Sequence, residues 1–253
     1  GPKNQVYPEE LVIPAVARLL GRPIKWAEDR REHFLTTTQE RDQVWDMAAA
    51  VDTDGRLLGV KGTLIHDAGA YLPWGIIMPY ISATTVPGPY KLPAYRIAVT
   101  VAFTNLVPTT PLRGAGRPQA VFAMERLMDA VARETGLDPA EVRRRNFIQA
   151  SDMPYDMGLT YRDGAPVMYD TGDYPEAQAQ ALAKAGYDSF PERQRAALAE
   201  GRHIGIGIGN YVEGTGLGPF EGATVRILTN GRIAIYTGAA AAGQAHRTTL
   251  AQI

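Results

Sequence analysis

Residues 111–120 read PLRGAGRPQA. Arg113 and Arg117 bracket Gly114, Ala115 and Gly116. Glycine tolerates positive φ and lets main-chain N–H groups approach a ligand. Guanidinium groups add forked donors for a phosphate or oxo-anion. A helical pattern follows at once, so an anion here would also meet the positive end of a helix dipole. From the residues alone, an anion cradle and a sharp loop with two solvated arginines are equally good readings.

A second small-residue stretch is TGAAAAGQAHRTTLAQ, 237–252. It reads as a strand end, a close-approach turn and a helix starting near Gln244. Gln244 could pair with a polar ring edge through both its donor and its acceptor. An Ala-rich helix start with an ordinary polar residue is the simpler reading of this stretch by itself. A third loop, EGTGLGPFEG at 213–222, holds Glu213 and Glu221. Two carboxylates can do acid–base work, but a glycine-rich loop fixes no distance between them. GIGIGN at 205–210 has glycines like a dinucleotide fingerprint. Its spacing differs and no helix pattern follows, so it reads as a glycine-rich strand. His33, His66, His203 and His246 show no short metal-ligand spacing; only His246, beside Gln244, keeps a functional reading. The chain has no cysteine, which excludes disulfides, thiolate nucleophiles and cysteine-ligated iron–sulfur clusters from it. G-x-S-x-G, Walker A and H-E-x-x-H motifs are also missing.

These loops need elements to hold them. Residues 8–20 read as a helix, with Pro8, Glu9 and Glu10 in its first turn and Gly21 after its end. Pro14 predicts a kink or early break. PIKWAED (23–29) reads as a short strand. Residues 43–51 and 56–65 read as paired strands around the turn DTDG, 52–55. Residues 67–75 read as a loop. Ile97, Val99, Val101 and Phe103 alternate as in a half-buried strand over 95–105. A helix is predicted from about Pro118 to Thr135, with Val121, Met124, Leu127, Met128 and Val131 on one face. DPAE (138–141), DYPE (173–176) and SFPE (189–192) each read as a capping box opening a further helix. HIGIGIGNYVE (203–213), GATVRILT and RIAIYTG read as strands, the last two joined by Asn230-Gly231. This mixture gives an α+β fold class without regular βαβ alternation. The polar, turn-rich stretch 148–172 reads as an interdomain connection.

The net charge of -1 supplies no basic field for nucleic acid or anionic lipid. No apolar run approaches the ~18 residues of a membrane span. A Gly-Pro start without Met, and an end inside a helical pattern, read as a processed or truncated chain.

Three glycine-rich loops in this order resemble a known family. PLRGAGRPQAVFAMERLMDAVARETGLDPAEVRRRNFI (111–148), VEGTGLGPFEGATVRI (212–227), GAAAAGQAHRTTLAQ (238–252) and the opening GPKNQVYPEELVIPAVARLLGRPIKWAEDRREHF (1–34) are similar to the molybdenum-cofactor-binding large subunit of the xanthine dehydrogenase, aldehyde oxidase and carbon monoxide dehydrogenase family. The resemblance implies two loop-rich mixed helix/sheet domains, the second incomplete. It divides the chain into 1–148, a connection over 149–172, and 173–253. It implies a molybdenum hydroxylase that oxidises an aldehyde or N-heteroaromatic carbon with oxygen from water. Molybdenum would be held by the dithiolene of molybdopterin, in the plain or the cytosine dinucleotide form, with no protein ligand to the metal. Electrons would leave through iron–sulfur clusters and FAD on partner chains or domains.

Residue by residue, the resemblance places Gly1 and Pro2 at the tail of a first cofactor loop. It places Arg113, Gly114 and Ala115 beside the metal centre, chiefly through main-chain N–H groups. Gly243, Gln244 and Ala245 fall in a pterin-binding loop. Asn4, Ala115, Glu213 and Gly214 fall around the substrate pocket. Gly114 stands where carbon monoxide dehydrogenases carry a copper-bound Cys. Ala115 and Asn4 stand where xanthine oxidisers carry Phe and Glu. The general-base Glu belongs to a later region, so the resemblance assigns no catalytic residue within 1–253. Iron–sulfur and FAD subunits, the missing parts of the same subunit and a small-molecule substrate are the implied partners. Nucleic acid and a membrane span are not, and a cytoplasmic location is expected, with a periplasmic one left open. An isolated, non-catalytic binding fragment remains the alternative.

Overall fold

The computed structural model describes residues 6–40, 42–71, 74–214, 220–239 and 245–253. It forms two compact units, Gly1–Val212 and Glu213–Ile253. The first unit begins with helix α1 (Pro8–Leu20). The Tyr7 N–H donates to the Glu10 carboxylate at 2.8 Å, and Gly21 closes the helix at φ 63°. The helix does not break at Pro14. Helix α2 (Arg30–Thr36) follows. Asp29 accepts the Glu32 N–H at 2.8 Å, and the Glu32 carboxylate accepts the Asp29 N–H at 2.8 Å. The sequence PIKWAED therefore leads into a capped helix. It has no ladder partner among the described residues and is not a strand.

Strands β1 (Gln43–Val51) and β2 (Leu57–Asp67) form an antiparallel hairpin. Its turn is built by Asp52, whose Oδ1 accepts the N–H groups of Asp54 and Arg56 at 2.9 and 2.8 Å. Helix α3 (Ile77–Thr85) then crosses over, and β3 (Tyr95–Ala102) returns parallel to β2. The sheet order is β1-β2-β3. Helix α3 is not predicted by its sequence, a nine-residue apolar segment too short to show a clear period.

Helix α4 (Arg117–Thr135) lies across the inner face of the sheet. Its buried stripe is Ala120, Ala123, Met124, Met128, Val131 and Ala132. These pack with Leu57, Val60 and Tyr90, and with the half-buried Trp45 and Met47. Of the predicted apolar face, Val121 and Leu127 are only half-buried.

Helix α5 (Pro139–Asn146) locks this layer. Asp138 caps it, accepting from the Ala140 and Glu141 N–H groups at 2.8 and 3.1 Å. Arg143 is 0% exposed. Its Nε donates to Glu125 Oε2 at 2.7 Å and its Nη2 to Asp129 Oδ1 at 2.9 Å, both acceptors on α4. The buried Tyr90 hydroxyl donates to the other Glu125 oxygen at 2.5 Å. Burial, then the adjacent carboxylate, hold that phenol well above its ordinary range, so it remains a donor. Asn146 ties α5 to the hairpin by accepting the Leu57 N–H at 2.7 Å and donating to Gly55 O at 2.9 Å.

The stretch read as a connection contains a second hairpin, β4 (Tyr155–Thr160) with β5 (Pro166–Tyr169). It docks through Tyr80 Oη to Thr160 O at 2.7 Å and Tyr169 Oη to Gly88 O at 2.9 Å. Helices α6 (Tyr174–Ala185) and α7 (Phe190–Ala199) start at the two remaining predicted caps. Asp173 accepts the Glu176 N–H at 3.0 Å, as a cap should. Ser189 does not cap; its hydroxyl donates to Gly186 O at 3.0 Å instead. HIGIGIGNYVE forms no strand among the described residues. Side chains hold it instead: Asn210 donates to Gln178 Oε1 at 3.0 Å, and Ile208 O accepts from Arg143 at 3.4 Å. The second unit holds hairpin β6 (Ala223–Ile227) and β7 (Ile233–Thr237), and helix α8 (His246–Gln252). No helix among the described residues is long and apolar enough to cross a membrane.

The α4–α5 pair predicts a test. Arg143→Leu leaves the Glu125 carboxylate buried without its cation, and should cost about 3–5 kcal/mol. The double variant Arg143→Leu/Glu125→Leu should recover most of that loss. Denaturant midpoints of the two variants check both outcomes.

Candidate functional site

The loop before α4 is shaped by three successive left-handed residues. Gly114, Ala115 and Gly116 have φ of 103°, 48° and 90°. An L-residue in this region is strained by about 1–3 kcal/mol, and such strain gathers at functional positions. Ala115 N–H donates to Leu112 O at 2.8 Å, and Arg117 N–H to Gly114 O at 3.1 Å. The Ala115 N–H is thus spent inside the turn and is not offered to a ligand. The Gly114 N–H has no acceptor among the described residues.

The arginines divide their roles. Arg117 Nη2 donates to Tyr161 Oη at 3.0 Å, and its Nη1 lies 3.4 Å from Gly114 O. Its guanidinium therefore braces the loop against the β4–β5 hairpin. Arg113 is exposed.

Beneath the loop, Gly116 sits directly on α3. A Cβ at Gly116 would lie 2.7 Å from Met78 O and 2.8 Å from Ser82 Oγ. The buried Ser82 hydroxyl is 3.0 Å from Gly116 O and 3.1 Å from Met78 O, and accepts from Gln43 Nε2 at 3.0 Å. Trp45 Nε1 donates to Gln43 Oε1 at 3.1 Å. Gln43 Nε2 is also 3.3 Å from His66 Nδ1, and His66 Nε2 is 3.3 Å from Thr109 Oγ1. A polar chain therefore runs from β1 and β2 through α3 to the loop carbonyl. Burial lowers the His66 pKa below its ordinary 6.5, opposed by Asp67 and Asp42, so the ring is neutral.

Gln43, His66, Ser82 and Tyr161 were not singled out for this loop from sequence. The contacts that join them across the network span 23 to 44 residues, as in Gln43–His66 and Arg117–Tyr161. No spacing motif could reveal them.

In the second unit, Glu213 and Gly214 precede β6. Ala245 sits at the N-terminus of α8 with φ 55°. Its carbonyl accepts the Thr248 and Thr249 N–H groups at 2.9 and 3.0 Å. Ala115 and Ala245 are the non-glycine positions of positive φ among the described residues. Gly1, Pro2, Asn4, Gly243 and Gln244 lie outside the described residues. Among the described residues, no group of three or more His, Cys, Asp or Glu could hold a metal ion.

Known proteins resemble this chain along its whole length. A family described as molybdopterin cofactor-binding domain matches residues 1–147, and a second family of the same description matches 180–253. The gamma subunit of a 6-hydroxypseudooxynicotine dehydrogenase complex from Paenarthrobacter nicotinovorans is 39% identical over 100% of this chain and 32% of its own length. The nicotine 6-hydroxylase large subunit of the same organism is 33% identical, over 100% of this chain and 32% of its own. The crystal structure of quinoline 2-oxidoreductase from Pseudomonas putida 86 superposes with a TM-score of 0.81 at 36% identity. It covers 100% of this chain and 33% of that one. This chain thus spans about a third of the length of the relatives it matches.

Two variants test the site geometry. Gly116→Ala places a methyl group against α3 at a φ unsuited to L-residues, and should destabilise by at least about 1–3 kcal/mol in thermal unfolding. His66 has a folded pKa below its unfolded one. Its contribution is therefore present above pH 6.5 and lost as pH falls through the folded value. His66→Gln should flatten that part of the stability–pH curve, measured between pH 7 and about 5.

Proposed function

This chain belongs to the molybdopterin cofactor-binding domain family, and on that premise we propose that it forms part of the large subunit of a molybdenum hydroxylase. The proposed reaction oxidises a ring carbon of an N-heteroaromatic compound with oxygen taken from water. An aldehyde is the other substrate class such a site takes.

The observation that carries this reading is the strained loop. Left-handed alanines occur at 115 and 245, each a described residue of a stretch that the resemblance assigns to the cofactor. The residues fit an anionic, metal-bearing pterin. Gly114 offers a main-chain donor, and Ala115 adds only a methyl group. When bound, the molybdenum centre supplies the two-electron oxidation chemistry. The chain's own work is positional. Ser82 and Gly116 hold the loop floor, and Arg117 with Tyr161 hold its side. Gly114 and Ala115 form the wall, leaving room for a substrate ring. Gly243 and Gln244 are proposed to bind the pterin beside Ala245, and Gly1 and Pro2 to close the first cofactor loop. Asn4, Glu213 and Gly214 are proposed to line the substrate pocket.

The choice of substrate rests on two supports. Gly114 brings no thiolate to the loop, which argues against a copper–molybdenum site and carbon monoxide. The relatives named for nicotine, 6-hydroxypseudooxynicotine and quinoline favour a nitrogen heterocycle. Electrons are proposed to leave through iron–sulfur and FAD partners, since this chain has no cysteine for a cluster. The cytosine dinucleotide form of the cofactor and a cytoplasmic location belong to the same proposal.

Expression of the complete large subunit with its neighbouring subunits tests it. Stoichiometric molybdenum and turnover of quinoline or nicotine, without turnover of carbon monoxide, is the expected result. Metal-free protein in the assembled complex would refute it. Within that enzyme, Ala115→Phe should lower kcat/KM for bicyclic substrates tenfold or more, about 1.4 kcal/mol or more, with monocyclic pyridines less affected. Equal kinetics for both would remove Ala115 from the pocket.

A further inference from the structure

We propose that the open edge of β1, together with the groove between β1 and α4, receives a β-strand from the portion of the large subunit outside residues 1–253. The proposal rests on the reading that this chain is a third of a longer subunit.

β1 has β2 on one side and no strand on the other among the described residues. Asp67 N–H donates to Asp42 O at the end of the β1–β2 ladder. Hydrogen-bonded pairs alternate along an antiparallel ladder. Val44, Asp46 and Ala48 therefore bond to β2. Gln43, Trp45, Met47 and Ala49 turn their main-chain groups to the open edge. Edges of this kind are normally blunted by charge, proline, shortness or cover. Nine residues long, β1 carries a single charge, Asp46, and no proline.

The groove beside this edge holds about 540 Å³ and is lined by Gln43, Trp45, Met47, Gln119, Phe122 and Arg126 among others. It is apolar at its centre. Phe122 is 68% exposed, although the next two residues of α4 are buried. The decisive group is Gln119. It is 7% exposed, and neither its Oε1 nor its Nε2 has a hydrogen-bond partner. A buried amide left unpaired is costly, and native structures rarely keep one. Both atoms are shut off from solvent, so the amide must swing toward the groove to pair, and a polar side chain on the inner face of an added strand would meet it there. Such a strand would also continue the sheet and cover Phe122.

The occupant follows from size. The quinoline enzyme aligns with all of this chain over 33% of its own, so two-thirds of that subunit lies outside the shared region. That mass must pack somewhere, and this groove combines an open ladder with an unpaired buried amide. A second copy of the chain would instead pair β1 with itself.

Hydrogen–deuterium exchange on the complete subunit in its assembled complex tests the proposal. The Trp45, Met47 and Ala49 amides should exchange within tenfold of those of Val44, Asp46 and Ala48. Faster exchange at the three edge amides overturns the proposal. So does protection that vanishes on dilution, which would assign the edge to a second copy. Gln119→Leu gives an independent sign. It should lower the Tm of the complete subunit if the amide is paired there, and an unchanged or raised Tm overturns the pairing. Molybdenum content of the same samples reports on the cofactor reading, so the two can fail separately.

Discussion

A guanidinium sealed from water must find carboxylates, and that constraint organises the first unit. Arg143 meets it with Glu125 and Asp129, one turn apart on α4. The pair dictates where α5 sits and which way α4 faces. Tyr90 completes the Glu125 shell and stacks on Phe147, with ring centroids 5.4 Å apart. Methionines and alanines of α4 then fall on the sheet. Because α4 is pinned at its middle, its first turn has a defined position over α3, and the RGAGR loop inherits that position.

The loop departs from low-energy geometry only where support is dense. Gly116 is pressed on Ser82, Gly114 abuts the Pro118 ring, and Arg117 reaches Tyr161. Between them, Ala115 stays left-handed at a cost that glycine would avoid. Strain of this kind persists only where the surroundings over-determine it, and it gathers at functional positions. Charge contributes less than composition suggests, since one of the two loop arginines serves as a brace.

Much of this was legible in the sequence where the physics is local. Asp138 and Asp173 announced helices because a carboxylate two or three residues from an N–H is a short-range bond. Gly21 and Gly186 marked helix ends for the same reason. Asp29 and Glu32 formed an equally readable box, masked by the apolar PIKW preceding it. HIGIGIG has true alternation, yet a strand needs a partner, and none is written in the segment itself. The α+β class and the glycine-rich loop at 113–117 could be read. Its floor could not, because Gln43, Ser82 and Gly116 meet only after the chain has folded back twice.

That last fact bears on the order of assembly. The β1–β2 hairpin and the single helices close short loops, whereas β3 must wait for α3 to cross. The Gln43–Ser82 and Ser82–Gly116 bonds span 39 and 34 residues. The Arg117–Tyr161 bond spans 44 more. Each presupposes elements already in place, so the RGAGR turn reaches its final curvature late. The curvature of this turn is therefore a property of the whole folded unit rather than of residues 111–120 themselves, and a change at Gln43, Ser82 or Tyr161 reaches it without touching the loop sequence.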